Sequence, residues 1–252
     1  MSIVDIKSIH SLLFVMHIMF GGMALVLFWL PVATRKGGLD HIKFGRYYAR
    51  IMYCVAASGA LMALLVLAAP LTIKAADIKA DTDLVAASLY YRLFWLFLLY
   101  LSLMTFVLIR HGVLVVQNKT VQQNMRSPMH LVSLGLLLLG GLALVYIGIQ
   151  NNFILHIIFG VLGSILGWQM LRFCLAQQVS ATQWLIEHFA AFIGSGISAY
   201  TAFISFGGQR LFDDLGYWQL VFWVAPGVIG GTASWLLARK YRRNIDGRIT
   251  HA

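Results

Sequence analysis

The sequence predicts an all-α fold, a polytopic bundle of seven transmembrane helices. Hydrophobic residues make up 60% of the 252 residues and charged residues only 11%, whereas an average soluble domain is about 25% charged. Apolar runs of roughly 20 residues, long enough to cross a hydrocarbon core of about 30 Å, take up most of the chain. The sequence therefore predicts a single integral membrane domain over residues 1–252, with spans at 9–31, 47–69, 87–110, 129–149, 153–175, 184–206 and 217–238.

The net charge of +10 follows the predicted topology. If the N-terminus lies outside, the segments on the inside hold most of the 19 Lys and Arg residues, while Asp77, Asp81 and Asp83 lie outside. This is the positive-inside distribution of membrane proteins, with some attraction to anionic lipid head groups. We therefore expect an outside N-terminus, an inside C-terminus and the lipid bilayer as partner. A nucleic-acid partner is not expected.

The motif His-Ile-x-Phe-Gly occurs three times, at His17–Gly21, His41–Gly45 and His156–Gly160. On a helix, residues i and i+4 lie on one face, one turn apart. Each motif therefore places an imidazole beside a missing side chain. This arrangement suits either a flat ligand or a closely packed neighbouring helix.

The first and fifth spans share a further spacing, since a tryptophan follows the motif histidine by twelve residues in both. The next span in each half carries a Ser-Gly pair at nearly the same offset. A parallel 3+1+3 pseudo-repeat of the kind found in transporters would explain both features. Apolar helices also resemble one another by chance, and His41 has no counterpart, so both explanations stay open. The residues concerned are His17, Trp29, Ser58, Gly59, His156, Trp168, Ser195 and Gly196.

Histidines in and beside the predicted spans form an outer and an inner layer. Ionisable groups are costly inside a bilayer, so they are functional candidates by default. Two histidine layers are what a transmembrane electron carrier with bis-histidine haem needs. We therefore expect haem b or a transition metal as cofactor. The candidate ligands are His17 and His156 in the outer layer and His188, His130 and His111 in the inner layer, with Gly21 and Gly160 leaving space for the cofactor.

Helix packing explains the same residues without a cofactor. The spacings Gly163-x-x-x-Gly167 and Gly227-x-x-x-Gly231 are typical of small-residue helix interfaces. Such faces pack within a chain, in a homo-oligomer or in a larger membrane complex. A membrane histidine also commonly hydrogen-bonds a neighbouring helix, contacts a substrate or relays protons.

The span at 184–206 carries a carboxylate, Glu187, beside His188. This pair lies at the foot of a stripe of small and hydroxyl residues, where it suits proton movement or a metal such as zinc. The candidate metal ligands are His41, His188 and Glu187. The alternative is a packing stripe in which Glu187 bonds a nearby Arg or His. The stripe comprises Glu187, Ala191, Gly194, Ser198, Thr201 and Ser205.

The two cysteines, Cys54 and Cys174, are predicted to be small core thiols. Both fall within predicted spans, towards the inner side. They imply no disulfide framework, and a single pair gives no metal-binding spacing.

Two stretches carry a resemblance to a known family. The first is Lys36–Arg46, which leads into Ser58-Gly59, and the second is Trp184–His188 followed by Ile193–Gly196. They resemble an uncharacterised bacterial family of multi-pass membrane proteins known only as a domain of unknown function. The resemblance implies a bacterial cytoplasmic (inner) membrane and gives special weight to His41, Gly45 and His188. It implies no activity.

The leading functional hypothesis is a haem- or metal-binding transmembrane electron-transfer protein. The alternatives are a proton-coupled small-solute transporter and a structural subunit of a membrane complex. The chain contains no phosphate-binding loop, His-Glu-x-x-His or Gly-x-Ser-x-Gly motif, so a nucleotide-driven machine or a conventional hydrolase is not supported.

Overall fold

The computed structural model describes residues 3–208 and 218–249, with side chains described for 6–207 and 219–243. These residues form α-helices, short 3-10 turns and loops, without a strand. Seven of the described helices are long and apolar enough to cross a membrane. The all-α fold with seven spans is therefore confirmed, and the protein is a multi-pass membrane protein. The helices are α1 (Ile3–Ala33), α2 (Leu39–Ala68), the short α3 (Pro70–Ile73), α4 (Leu84–Asn118), α5 (Pro128–Asn151), α6 (Ile154–Leu175), α7 (Ala181–Gly208) and α8 (Trp218–Ile249).

Several helices extend beyond the predicted apolar runs. The helix α2 begins at Leu39 rather than at residue 47, and α4 continues to Asn118 rather than to residue 110. An apolar run measures only the part of a helix inside the hydrocarbon, whereas Lys and Arg support further helical turns in the interface. Residue 217, the first of the predicted seventh span, lies outside the described residues.

The chain divides into two compact units. The first combines residues 1–106 with 143–159, and the second combines residues 107–142 with 160–252. In the first unit the fully buried side chains include Tyr48, Met52 and Phe97. In the second unit they include two imidazoles, His111 and His130.

The helices α1 and α8 contribute least to the interiors of their units. Only 6% of the residues in their apolar windows are buried, against 28–39% in the other spans. Along their apolar windows they expose large hydrophobic side chains, such as Val26 and Ile229. Such a surface contacts lipid rather than water.

The connection between α1 and α2 is short, and side chains from it and from the start of α2 donate hydrogen bonds to the end of α1. Gly37 adopts a positive φ of 76°, a conformation that costs glycine little. The Lys36 amine donates to the carbonyl groups of Pro31 and Val32 at the end of α1. His41 Nδ1 donates to the Pro31 carbonyl at 2.9 Å. The carbonyl groups that a helix leaves unpaired at its C-terminus thereby gain donors.

Candidate metal centre

Three side chains of metal-ligating type converge inside the second unit. His111 lies in α4, His130 is the third residue of α5, and Cys174 is the last but one residue of α6. One ligand atom from each lies within 4.8 Å of the other two, and each residue has an exposed fraction of 0%. Three distant stretches of sequence therefore meet at one buried point.

Hydrogen bonds connect the two imidazoles to a carboxylate. His111 Nε2 donates to Glu187 Oε1 at 2.9 Å, since a carboxylate only accepts. His111 Nδ1 and His130 Nε2 lie 3.1 Å apart, so one proton is shared between them. The other nitrogen of His130, Nδ1, is buried without a hydrogen-bond partner.

Close packing between α4 and α7 brings the carboxylate to His111. A Cβ added at Gly112 would lie 2.7 Å from the ring of Phe192 and 3.3 Å from the Cβ of Ala191. The absence of a side chain at Gly112 therefore lets the two helices approach. Glu187 lies one turn before Ala191, and His111 directly precedes Gly112. At this end the polar stripe of α7 is thus a packing surface. This favours the alternative interpretation, in which the stripe packs against a helix and Glu187 bonds a nearby Arg or His.

Close packing between α5 and α6 positions the other two side chains. A Cβ added at Gly167 would lie only 2.9 Å from the backbone nitrogen of Leu138, so the two backbones touch there. Arg126, which lies just before α5, donates to the Cys174 carbonyl at 3.1 Å. These contacts hold the end of α6 beside the start of α5, which carries His130.

The other inner candidates take different places. His188 follows Glu187 on α7, and its ring packs edge-on against Phe192 with centroids 4.8 Å apart. His41 caps the end of α1, as described above. Neither histidine belongs to the group of converging ligand atoms within the described part of the chain. Of the predicted inner residues, the structure therefore brings His111, His130 and Glu187 together.

The two predicted outer ligands each hydrogen-bond a neighbouring helix. The Ser58 hydroxyl donates to the Cys54 carbonyl at 2.7 Å, so Ser58 Oγ accepts from His17 Nδ1 at 2.9 Å. His156 Nε2 donates to the Leu93 carbonyl at 3.1 Å. Both contacts favour the packing interpretation of these histidines. Each imidazole keeps a second ring nitrogen, and ligation of a cofactor in this layer stays a prediction.

The glycines predicted to leave room for a cofactor differ in their surroundings. A Cβ at Gly21 would meet no atom within 4 Å, so no neighbouring helix uses that space. Gly160 is buried. Further along the same face of α6, Ser164 Oγ donates to the Leu138 carbonyl at 3.1 Å. The α6 face is therefore a helix-packing surface.

Cys174 is fully buried, as predicted for a core thiol, but its position beside His111 and His130 was not predicted from the sequence. The reason is that spacing along the chain cannot reveal a site assembled from three helices. A shared membrane depth is the signal that could have grouped these residues. Cys174, His111 and His130 all lie at the predicted inner ends of their spans.

Two imidazoles and a thiol form a ligand set suited to zinc or copper. Comparisons of the chain with protein-family models, with curated proteins and with solved structures found no match. The function is therefore inferred from the chemistry of the site itself.

Proposed function

We propose that this protein is an integral membrane protein that binds a transition-metal ion within the bilayer, with His111, His130 and Cys174 as its ligands. The convergence of their ligand atoms within 4.8 Å, in fully buried side chains, carries the proposal. Polar side chains buried inside a membrane protein are costly and tend to mark functional positions.

The distance between the two facing imidazole nitrogens fits a metal ion with tetrahedral coordination. Zinc–nitrogen bonds of about 2.0–2.1 Å place two nitrogen ligands about 3.3 Å apart. His111 Nδ1 and His130 Nε2 lie 3.1 Å apart, so an ion in place of the shared proton needs little movement there. A zinc–sulfur bond of about 2.3 Å requires the Cys174 sulfur to lie about 3.6 Å from each nitrogen. The ligand atoms already lie within 4.8 Å of one another, so each sulfur–nitrogen distance has to shorten by about 1.2 Å at most.

Glu187 supports the ligand function of His111. A metal-bound histidine commonly donates its other N–H to a carboxylate, which fixes the ring orientation and raises its basicity. The bond from His111 Nε2 to Glu187 has this form and leaves Nδ1 for the ion. The side chain of Glu187 is 25% exposed, so it links the buried ligands to the edge of the unit.

The ligand set favours a late transition metal over other cofactors. Magnesium and calcium prefer oxygen ligands, whereas thiolate and imidazole suit zinc and copper. A divalent ion together with the Cys174 thiolate and the Glu187 carboxylate has no net charge, which suits a low-dielectric interior. The rings of His111 and His130 stack at 26° with centroids 5.3 Å apart, so no porphyrin fits between them. For these inner histidines we therefore propose a bare ion in place of haem.

Electron transfer remains the proposed role if the ion is copper. Two histidines and one cysteine are the ligands of copper electron-transfer sites, whereas zinc has no redox chemistry. The identity of the bound ion therefore decides between an electron carrier and a metal-stabilised membrane bundle.

The experiment is metal analysis and spectroscopy on protein purified in mild detergent. We expect one equivalent of zinc or copper per chain, and a thiolate-to-metal charge-transfer band when cobalt(II) is added. Oxidised and reduced spectra of the same sample test for copper and haem. Protein that binds neither zinc, copper nor cobalt would contradict the proposal.

The two cysteines supply a matched control. Cys174→Ser should abolish the charge-transfer band because it removes the sulfur ligand. Cys54→Ser should retain it, since Cys54 lies in α2 of the first unit. Equal spectra for the two variants would show that the bound metal lies elsewhere.

For the cellular setting we propose a bacterial cytoplasmic membrane with the N-terminus outside. The distribution of basic residues supports the orientation, and the family resemblance supports the bacterial origin. Association with a second copy is proposed for α8, where a Cβ at Gly227 or Gly231 would meet no atom within 4 Å.

A further inference from the structure

We propose that Arg126 is a positioning residue of the metal centre, which holds the His130 and Cys174 ligands in register; this inference rests on the proposed function. Arg126 lies four residues before His130, in the 3-10 turn Gln122–Arg126 that leads into α5. Its guanidinium reaches across to the last residues of α6.

The guanidinium binds three consecutive carbonyl groups. Arg126 Nε donates to the Cys174 carbonyl at 3.1 Å. One terminal nitrogen donates to the Leu175 carbonyl at 3.3 Å and to the Ala176 carbonyl at 3.2 Å. Helix C-termini leave such carbonyl groups unpaired and carry a partial negative charge. The planar fork of arginine supplies several donors in a fixed arrangement, which a lysine ammonium does not.

The hydrogen bonds of Arg126 matter because two of the proposed ligands lie at helix ends. Cys174 is the last but one residue of α6, and His130 is the third residue of α5. Helix ends fray more readily than helix interiors. Two of the three proposed ligands therefore lie on the least rigid parts of their helices. Arg126 joins those two ends directly, whereas His111 lies within α4 and is held by Glu187.

Substitution of Arg126 should lower the metal affinity although every proposed ligand is retained. Removal of a residue that orients metal ligands typically weakens binding by about 10- to 100-fold. We expect Arg126→Gln to raise the Kd for cobalt(II) by about tenfold or more and to shift or broaden the thiolate-to-cobalt band. Arg126→Lys retains the charge without the fork, and we expect an intermediate Kd.

Lys36 provides the control for general destabilisation. It caps the end of α1 through the Pro31 and Val32 carbonyl groups, in the same manner but in the first unit. Lys36→Gln should lower the thermal stability and leave the cobalt Kd and spectrum at wild-type values.

The test is a cobalt(II) titration of the full-length wild type and these variants, followed by absorption and thermal unfolding. A wild-type Kd and spectrum in Arg126→Gln would overturn the positioning role and leave the metal site standing. Equal weakening by Lys36→Gln would also overturn it, because the effect would then be global. If Arg126→Gln does not fold, a wild-type Kd in Arg126→Lys overturns the inference. Failure of the wild type to bind cobalt, zinc or copper overturns both the inference and the proposed function.

Discussion

His111 is the residue on which the candidate centre depends most. Its Nε2 bonds Glu187 on α7 at 2.9 Å, and its Nδ1 faces His130 on α5 at 3.1 Å. Both ring nitrogens therefore have a partner, Glu187 for Nε2 and His130 for Nδ1, and Nδ1 is the one that we propose to bind the metal. The Phe173 ring packs edge-on against the imidazole, with ring centroids 5.6 Å apart. The imidazole of His111 is fully buried.

Substitution of Glu187 should weaken metal binding without removing a ligand. Glu187→Ala leaves His111 Nε2 without an acceptor, and we expect the Kd for cobalt(II) or zinc to rise by about 10- to 100-fold. Glu187→Gln keeps an acceptor oxygen and loses only the charge, so its Kd should fall between those of the wild type and Glu187→Ala. Equilibrium titration of the three proteins measures the order. A wild-type Kd for Glu187→Ala would refute the supporting role of the carboxylate.

The hydrogen bond from His17 to Ser58 should contribute a measurable part of the stability of the first unit. Such bonds between membrane helices are worth about 0.5–1.5 kcal/mol. Ser58→Ala removes the acceptor of His17 Nδ1, and we expect the free energy of unfolding to fall by about that amount. Ser102→Ala is the control, because the Ser102 hydroxyl donates to the Leu98 carbonyl of its own helix. Denaturation in detergent compares the two, and equal losses would count against the interhelical bond.

At the scale of the helices, each motif histidine joins its helix to a neighbour. His17 of α1 bonds Ser58 of α2, and His41 of α2 bonds Pro31 of α1. His156 of α6 bonds Leu93 of α4. In all three motifs the histidine therefore forms a hydrogen bond to another helix, although the bonded residue differs. The predicted pseudo-repeat is not needed to explain these hydrogen bonds and stays a prediction.

Contact between α5 and α6 depends on glycine at one position. A Cβ at Gly167 would overlap the backbone nitrogen of Leu138 at 2.9 Å, and a backbone atom cannot rotate away. We expect Gly167→Ala to cost about 1–3 kcal/mol of stability through overpacking. It should also weaken metal binding, since the same helix pair carries His130 and Cys174.

Gly135 supplies the matched substitution on α5. A Cβ there would meet no atom within 4 Å, and alanine favours a helix over glycine by about 1 kcal/mol. Gly135→Ala should therefore be neutral or slightly stabilising. Thermal unfolding of the two variants checks both expectations. Comparable destabilisation by Gly135→Ala would mean that the cost at Gly167 is not one of close packing.

At the scale of the whole molecule, membrane orientation is open to direct test. We expect a cysteine at position 81, in the connection before α4, to react with an impermeant thiol reagent in intact cells. A cysteine at position 35, between α1 and α2, should react only after the cells are opened. Asp81→Cys and Arg35→Cys are made in a chain with Cys54→Ser and Cys174→Ser, so that no native thiol reacts. The reverse labelling pattern would contradict the proposed topology and place the N-terminus inside.

The sequence by itself determined the membrane class and the seven spans. Apolar length and charge distribution are local properties, and the bilayer acts on each helix separately. The helix ends were less well determined, as at Leu39 of α2 and Asn118 of α4. The reason is that the length of an apolar run does not include the polar helical turns that lie beyond the hydrocarbon core.

Only the tertiary structure decided which of the inner candidates meet. It joined His111, His130 and Glu187, added Cys174, and gave His41 a capping bond at the end of α1. The physical reason is that contacts between membrane helices depend on the fit of small residues such as Gly112 and Gly167 against particular neighbours. That fit sets the rotation and register of each helix, which neither hydrophobicity nor spacing along the chain contains.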